Sequence, residues 1–89
     1  MSHKFKRGYD RAKYHKFRIS VLRRDRFTCR LCGKKKVKFN VHHIRRWSDF
    51  PSLRYEKSNG ITLCIGCHKH IKGKEKMYAE LFTRLIMKE

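Results

Sequence analysis

The sequence predicts a small α+β domain in which two short strands and a helix lie between an N-terminal and a C-terminal helix. Three observations support this fold class. The chain has 89 residues, 39% hydrophobic and 36% charged, which is enough for one domain with a small apolar core. Helical spacing of apolar residues is confined to the two ends. Two Cys-x-x-Cys pairs enclose a middle segment of β-prone runs.

The terminal segments carry the helix signals. A first helix is predicted over residues 11–24, where apolar side chains fall near one face: Tyr14, Phe17, Val21 and Leu22. Residues 1–10 are basic without a clear period and are expected to form a flexible arm ahead of a single domain, residues 11–89. A C-terminal helix is predicted over about residues 75–88, and its apolar positions are expected to supply the bulk of the core: Met77, Tyr78, Leu81, Phe82, Leu85 and Ile86.

The middle segment predicts a pair of strands. Residues 37–41 alternate apolar and polar side chains and run into His42-His43-Ile44, which indicates a first strand. Asn59-Gly60 is a strong turn signal, and it is expected to open a second strand that pairs with the first. A further helix is expected to begin near Cys67-His68.

The cysteine spacing predicts a structural zinc site. Cys29 with Cys32, and Cys64 with Cys67, each offer two thiolates from one tight turn, and Gly33 is free to take the left-handed conformation after the second ligand. A closed shell of four sulfurs leaves no open position for catalysis. Disulfides would need an oxidising compartment, but no signal peptide is visible, so an intracellular protein with bound metal is expected.

The charge predicts a polyanionic partner. Lysine and arginine number 25 against seven acidic residues, the formal net charge is +18, and the basic residues are spread along the whole chain. Nucleic acid is the partner that this balance favours. An acidic membrane surface is a weaker alternative, because no helix combines a clean basic face with an exposed apolar one. No small-molecule cofactor is expected.

Together these motifs resemble the HNH endonuclease family, and in style the small HNH proteins of bacteriophages. Three stretches within residues 29–72 carry the resemblance: Cys29-x-x-Cys32, Val41-His42-His43-Ile44 and Asn59-Gly60-Ile61-Thr62-Leu63-Cys64-x-x-Cys67-His68. It implies a zinc-stabilised ββα-metal (HNH/His-Me finger) fold and hydrolysis of DNA phosphodiester bonds to 5′-phosphate and 3′-hydroxyl ends. With one site per chain, a monomer is expected to nick.

The resemblance also implies roles for the site residues. His43 would be the general base, and His42 and His68 would bind one catalytic divalent cation (Mg, Mn, Ni or Zn). Asn59 would orient His43 or hold the turn that faces it. These residue types suit the chemistry, because a neutral imidazole accepts a proton from water at pH 7 and a cation stabilises charge on the phosphate.

Two positions depart from the family pattern. Many relatives have an aspartate where this chain has His42, and some have a third histidine where this chain has Lys72, which cannot bind metal while protonated. The catalytic cation is therefore expected to have two protein ligands, with water and phosphate filling its shell. His70 is expected at the surface or near a phosphate.

Basic residues near the site in sequence are candidates for phosphate contacts, which position a duplex without reading its bases: Arg45, Arg46, Lys34, Lys35 and Lys36. Phage relatives act in genome packaging beside the terminase, in homing or in attack on host DNA. A terminase or another packaging protein is thus a candidate partner beside DNA, and the expected location is the cytoplasm of a bacterial host.

Two other function classes fit part of the sequence. A non-catalytic, zinc-stabilised module that binds nucleic acid would share the cysteines and the charge but would not need the three histidines. A disulfide-linked secreted basic peptide would lose its structure with reductant and be indifferent to chelators, whereas the zinc protein would behave in the opposite way.

Overall fold

The computed structural model describes residues 10–87. The order of elements is helix α1 (Arg11–Arg24), strand β1 (Phe39–His43), strand β2 (Gly60–Cys64), helix α2 (Ile65–Ile71) and helix α3 (Glu75–Met87). The predicted α+β arrangement, with a strand pair and a helix between two flanking helices, is confirmed. The predicted arm lies outside the described residues, apart from Asp10, and so does the last predicted residue of the C-terminal helix. No helix within residues 10–87 is long and apolar enough to cross a bilayer.

Helix α1 spans the range that the sequence predicts, and a side chain caps its first turn. The Asp10 carboxylate accepts a hydrogen bond from the backbone N–H of Lys13 at 3.0 Å, which satisfies one of the free donors of the first turn. The Asp10 N–H donates to the Tyr55 hydroxyl at 2.7 Å, so the start of the helix is tied to the loop between the strands. The buried face is the predicted one: Phe17, Val21 and Leu22.

The two strands pair antiparallel, in a register that runs from Phe39 opposite Cys64 to His43 opposite Gly60. The first strand starts two residues later than predicted, because Val37 is exposed and belongs to the loop after the first cysteine pair. Helix α2 starts earlier than predicted, at Ile65, directly after the second strand. These shifts leave the predicted strand–strand–helix order intact.

The sheet separates two small apolar clusters. Val41 faces α1 and packs with that helix's buried side chains. The larger cluster lies on the side of α2 and α3: Cys29, Ile44, Ile61, Leu63, Cys64, Ile71, Ala79, Phe82 and Ile86. Because neighbouring strand residues point to opposite faces, His42 belongs to the side of the larger cluster and His43 to the side of α1.

Helix α3 contributes fewer apolar residues to the core than its sequence indicates. Its buried side chains are Ala79, Phe82 and Ile86. The prediction is wrong for Met77 and Leu81, which are 75% and 41% exposed. Met77 and Leu81 are four residues apart and lie on the helix surface beside the buried stripe. The stripe itself is narrow and contains only the three buried side chains named above.

Gly60 is required by close packing and not by turn geometry. The chain turns in the short 3-10 segment Lys57–Asn59, and Gly60 is extended, with φ −119°, as the first residue of β2. A Cβ atom at Gly60 would lie 2.7 Å from Phe17 Cζ and 2.7 Å from Val21 Cγ2. The missing side chain therefore lets α1 lie against the strand.

Replacing Gly60 with alanine is expected to destabilise the fold by about 1–3 kcal/mol, because α1 must move away from the sheet. Urea unfolding of the zinc-loaded protein measures the change. Gly66→Ala is the matched control, since a Cβ there meets no atom within 4 Å and alanine favours a helix. Equal stability of the two variants would contradict this explanation.

A buried carboxylate links α1, the first cysteine pair and the sheet, and no sequence pattern predicts it. Asp25 is 4% exposed and accepts hydrogen bonds from Arg24 at 2.8 and 2.9 Å and from Arg30 at 2.7 Å. The backbone N–H of Thr62 donates to the same carboxylate at 3.0 Å. Burial raises the pKa of Asp25, but these donors outweigh burial and hold the pKa below its ordinary value.

Asp25→Ala is expected to cost about 3–5 kcal/mol of unfolding free energy, because it leaves two guanidinium groups without their buried partner. Since the folded-state pKa is lowered, the stability from this carboxylate is present above pH 3.8 and is lost as the pH falls through the folded pKa. Urea unfolding at several pH values measures both effects. Asp49→Ala should change stability by less than about 1 kcal/mol, because its ion pair with Arg46 is exposed.

Candidate active site

The four cysteines form one cluster. Their sulfur atoms lie within 4.8 Å of one another, and the sulfurs of Cys32 and Cys64 are 3.7 Å apart. Each pair closes a turn in which the N–H of the second cysteine donates to the sulfur of the first, at 3.5 Å for Cys32 and 3.4 Å for Cys67. Gly33 has φ +83°, the left-handed conformation that the sequence predicts. Two such turns are the usual way of building a Cys₄ zinc site.

The electrostatics of the cluster fit a bound dication. Burial raises the pKa of Cys29, but backbone N–H groups of Cys32, Cys64 and Leu31 outweigh burial and lower it overall. Burial and the neighbouring sulfur atoms raise the pKa of Cys67. Four thiolates this close need a cation between them, and zinc accepts four sulfurs in a tetrahedron. The donor set is therefore consistent with the predicted structural zinc.

His42 presents a neutral imidazole with an unused nitrogen. Its ring lies 5.6 Å from the His68 ring and 5.8 Å from the Phe82 ring, measured between centroids. The side chain is 8% exposed, and its Nε2 atom is buried without a hydrogen-bond partner. Burial, and then the positive charge of a protonated His68, lower the pKa of His42 to about 4. A neutral imidazole with a free nitrogen is the form that binds metal.

His68 lies on α2, one residue after the last cysteine, and a strand residue contacts it. The amide nitrogen of Asn40 is 3.3 Å from His68 Nδ1, because Asn40 lies two residues before His42 and shares its face of the strand. In this arrangement the amide donates to Nδ1, and a neutral His68 carries its proton on Nε2. Turning the amide over would place its oxygen beside a protonated Nδ1 and leave the Nε2 lone pair free for a cation. Burial, and then the charge of Lys72, lower the pKa of His68. No motif in the sequence marks Asn40 as a site residue.

His43 is the last residue of β1 and is held by aromatic rings and one hydrogen bond. Its ring stacks on Phe17 at 4.8 Å, and the edge of Trp47 lies 5.3 Å away, between centroids. Nε2 donates to the Arg54 carbonyl oxygen at 2.9 Å, which fixes the neutral tautomer and leaves Nδ1 as a proton acceptor. Burial lowers the pKa of His43, although the bond to Arg54 acts in the opposite direction.

His42 and His43 line one cleft although their side chains leave the strand on opposite faces. The cleft has a volume of about 670 Å³, and its walls are the loop after β1 and the segment that begins α3. Both rings reach it because the strand ends at His43. His68 does not line the cleft, but its ring lies 5.6 Å from the His42 ring, between centroids, so His42 connects the cleft to His68.

A family model described as HNH endonuclease matches residues 29–74, just over half of the chain. The chain belongs to the HNH endonuclease family. The match begins at the first cysteine and includes all four cysteines, Asn59 and the histidines at positions 42, 43 and 68. No curated protein and no solved structure matches the chain. Members of the HNH family typically hydrolyse phosphodiester bonds, so the family implies a nucleic-acid substrate.

The asparagine of the HNH motif clamps a loop. Asn59 is buried, and its amide oxygen accepts from the backbone N–H of Arg45 at 2.8 Å. Its amide nitrogen donates to the carbonyl oxygens of Arg45 at 3.1 Å and of Leu53 at 3.3 Å. Within residues 10–87 it makes no hydrogen bond to His43. Arg54 follows Leu53 in this loop, and its carbonyl oxygen accepts the hydrogen bond from His43. Asn59 therefore holds the loop that contacts His43, in line with the second of the two roles expected for Asn59.

The basic residues around this HNH site are distributed unevenly. Arg46 lines the cleft, whereas Arg45 lines a different hollow, beside Asn59. Lys34–Lys36 are exposed at the first cysteine turn and do not line the cleft. Lys74 and Lys76 do line it, and sequence reasoning missed them because they lie beyond the histidine motif. His70 is exposed, as expected, and Lys72 is exposed as well.

Proposed function

We propose that the chain is a metal-dependent DNA endonuclease in which His43 activates water and His42 and His68 hold a catalytic divalent cation. The observation that carries the proposal is the state of His43. Its Nε2–H is committed to the Arg54 carbonyl, its ring is neutral, and it lines the same cleft as His42. Family membership supports the same reaction class.

The proposed reaction is in-line hydrolysis of a phosphodiester. Nδ1 of His43 takes a proton from water while the water oxygen attacks phosphorus, and the bond to the 3′ oxygen of the preceding sugar breaks. A divalent cation held by His42 and His68 would supply charge stabilisation for the phosphate and for the leaving oxygen. His42 and His68 remain neutral at pH 7 and can therefore bind the cation. The leaving 3′ oxygen takes a proton from solvent water, and the products are a 5′-phosphate and a 3′-hydroxyl.

Basic side chains at the cleft support a DNA substrate. Arg46, Lys74 and Lys76 line it and can contact phosphates on either side of the bond that is cut. Such contacts do not read bases, so we expect weak sequence preference and an affinity that falls steeply with salt. One cleft per chain predicts that a monomer nicks one strand.

The test is incubation of the zinc-loaded protein with supercoiled plasmid and Mg²⁺, Mn²⁺ or Ni²⁺. We expect conversion to relaxed circles that DNA ligase reseals, since ligase needs a 5′-phosphate beside a 3′-hydroxyl. His68→Ala should abolish the conversion, whereas His70→Ala should not, because His70 is exposed and its ring lies near Tyr78, while the His68 ring lies near His42. Plasmid that stays supercoiled with every cation would refute the proposal.

A further inference from the structure

We propose that Glu75 is a third protein ligand of the catalytic cation and completes a set with His42 and His68. This inference rests on the proposed function, because it concerns the cation of that site. Glu75 is the first residue of α3, lies three residues beyond the exposed Lys72, and is half-buried in the lining of the cleft beside His42.

The position of Glu75 relates it to both histidines. The lining of the cleft includes both Glu75 and His42, and the His42 ring lies 5.6 Å from the His68 ring, between centroids. No other element of the described chain brings an acidic group to this cleft.

The Glu75 carboxylate has no competing partner in the described part of the chain. It accepts no hydrogen bond and forms no ion pair among residues 10–87, although Lys74 and Lys76 flank it in sequence. In contrast, Glu80 on the same helix pairs with Arg84 at 3.2 Å. The unpaired Glu75 carboxylate lies in the same cleft as the buried His42 imidazole, whose Nε2 atom also lacks a partner. A cation bound between them would interact favourably with both groups.

The donors converge only when the Glu75 side chain moves. Among residues 10–87, the four cysteines alone bring three or more such donor atoms within 4.8 Å. Glu75 has rotatable side-chain bonds and is the first residue of α3, two residues after Gly73, whose φ is +82°. A swing toward His42 and His68 would give the cation two nitrogens and one oxygen, a set that favours Mn²⁺ and Mg²⁺ more than two imidazoles alone.

The experiment is titration of the zinc-loaded protein with Mn²⁺, with free Mn²⁺ followed by electron paramagnetic resonance and no DNA present. Glu75→Gln should weaken Mn²⁺ binding about tenfold or more while retaining the shape of the side chain. Glu80→Gln is the matched control, since it removes the same charge from an exposed position of the same helix, and it should bind as the wild type does. Circular dichroism checks that each variant is folded.

A His68→Ala variant separates the two proposals. If His68→Ala loses Mn²⁺ and Glu75→Gln binds it as the wild type does, the role of Glu75 is refuted and the proposed function stands. If the folded wild-type protein binds no Mn²⁺ and cuts no DNA with any cation, both fail. Weakened binding in both variants, with Glu80→Gln unchanged, supports both.

Discussion

Removal of zinc is expected to unfold the chain. The four cysteines join the loop after α1 to the start of α2, and Cys29 and Cys64 belong to the larger apolar cluster. Binding of structural zinc to such sites contributes about 10–16 kcal/mol, whereas the net stability of a folded domain is about 5–15 kcal/mol. A domain with 89 residues and a core divided by its sheet has little else to replace that contribution.

Far-UV circular dichroism with a strong zinc chelator measures this effect. We expect loss of the helical signal, recovery when zinc is added back, and no recovery with magnesium. Cys29→Ser should behave like the chelated protein even with zinc present, because Cys29 is the most deeply buried of the four. Reductant alone should change nothing. A metal-free protein that keeps its helices would show that the cysteine cluster does not hold the fold.

Replacement of His43 with alanine is expected to lower the rate of DNA cleavage by about 100- to 10,000-fold, the range for loss of a general base. The variant should bind DNA as the wild type does, because His43 carries no positive charge at pH 7 and the basic residues that line the cleft are unchanged. Initial rates of plasmid nicking and the affinity for a short duplex measure the two properties.

The control for this variant is His15→Ala, which removes an exposed imidazole from α1. It should nick and bind at wild-type levels. His43 also packs on Phe17, so the melting temperature of the zinc-loaded variant must be compared with that of the wild type. Equal nicking by His43→Ala and His15→Ala would exclude His43 as the base.

The sequence predicts the elements well because their signals are local. Helix α1 has an apolar stripe, so the range of the helix follows from periodicity. The strands have β-prone runs, so the order of the strands follows as well. The cysteine cluster follows from spacing, since two Cys-x-x-Cys turns have few other uses in a small chain. The family motif adds the three histidines, which the fold brings together.

The features that the sequence does not predict depend on long-range contacts. The Thr62 N–H reaches Asp25 only when α1 and β2 meet, and Gly60 must lack a side chain because Phe17 and Val21 fill the space that its Cβ would occupy. Asn40 on β1 reaches His68 on α2 only because β1 pairs with β2, the strand that leads into α2. Glu75 lies outside the motif, and only the fold brings the start of α3 to the cleft. None of these relations has a fixed spacing along the chain.

The most direct test is a crystal structure of the zinc-loaded His43→Ala variant with a short DNA duplex and Mn²⁺, with anomalous scattering recorded at the zinc and manganese edges. We expect zinc among the four sulfurs and manganese bound by His42 and His68 beside a DNA phosphate. Manganese away from both histidines, or a duplex that avoids the cleft, would contradict the proposed function.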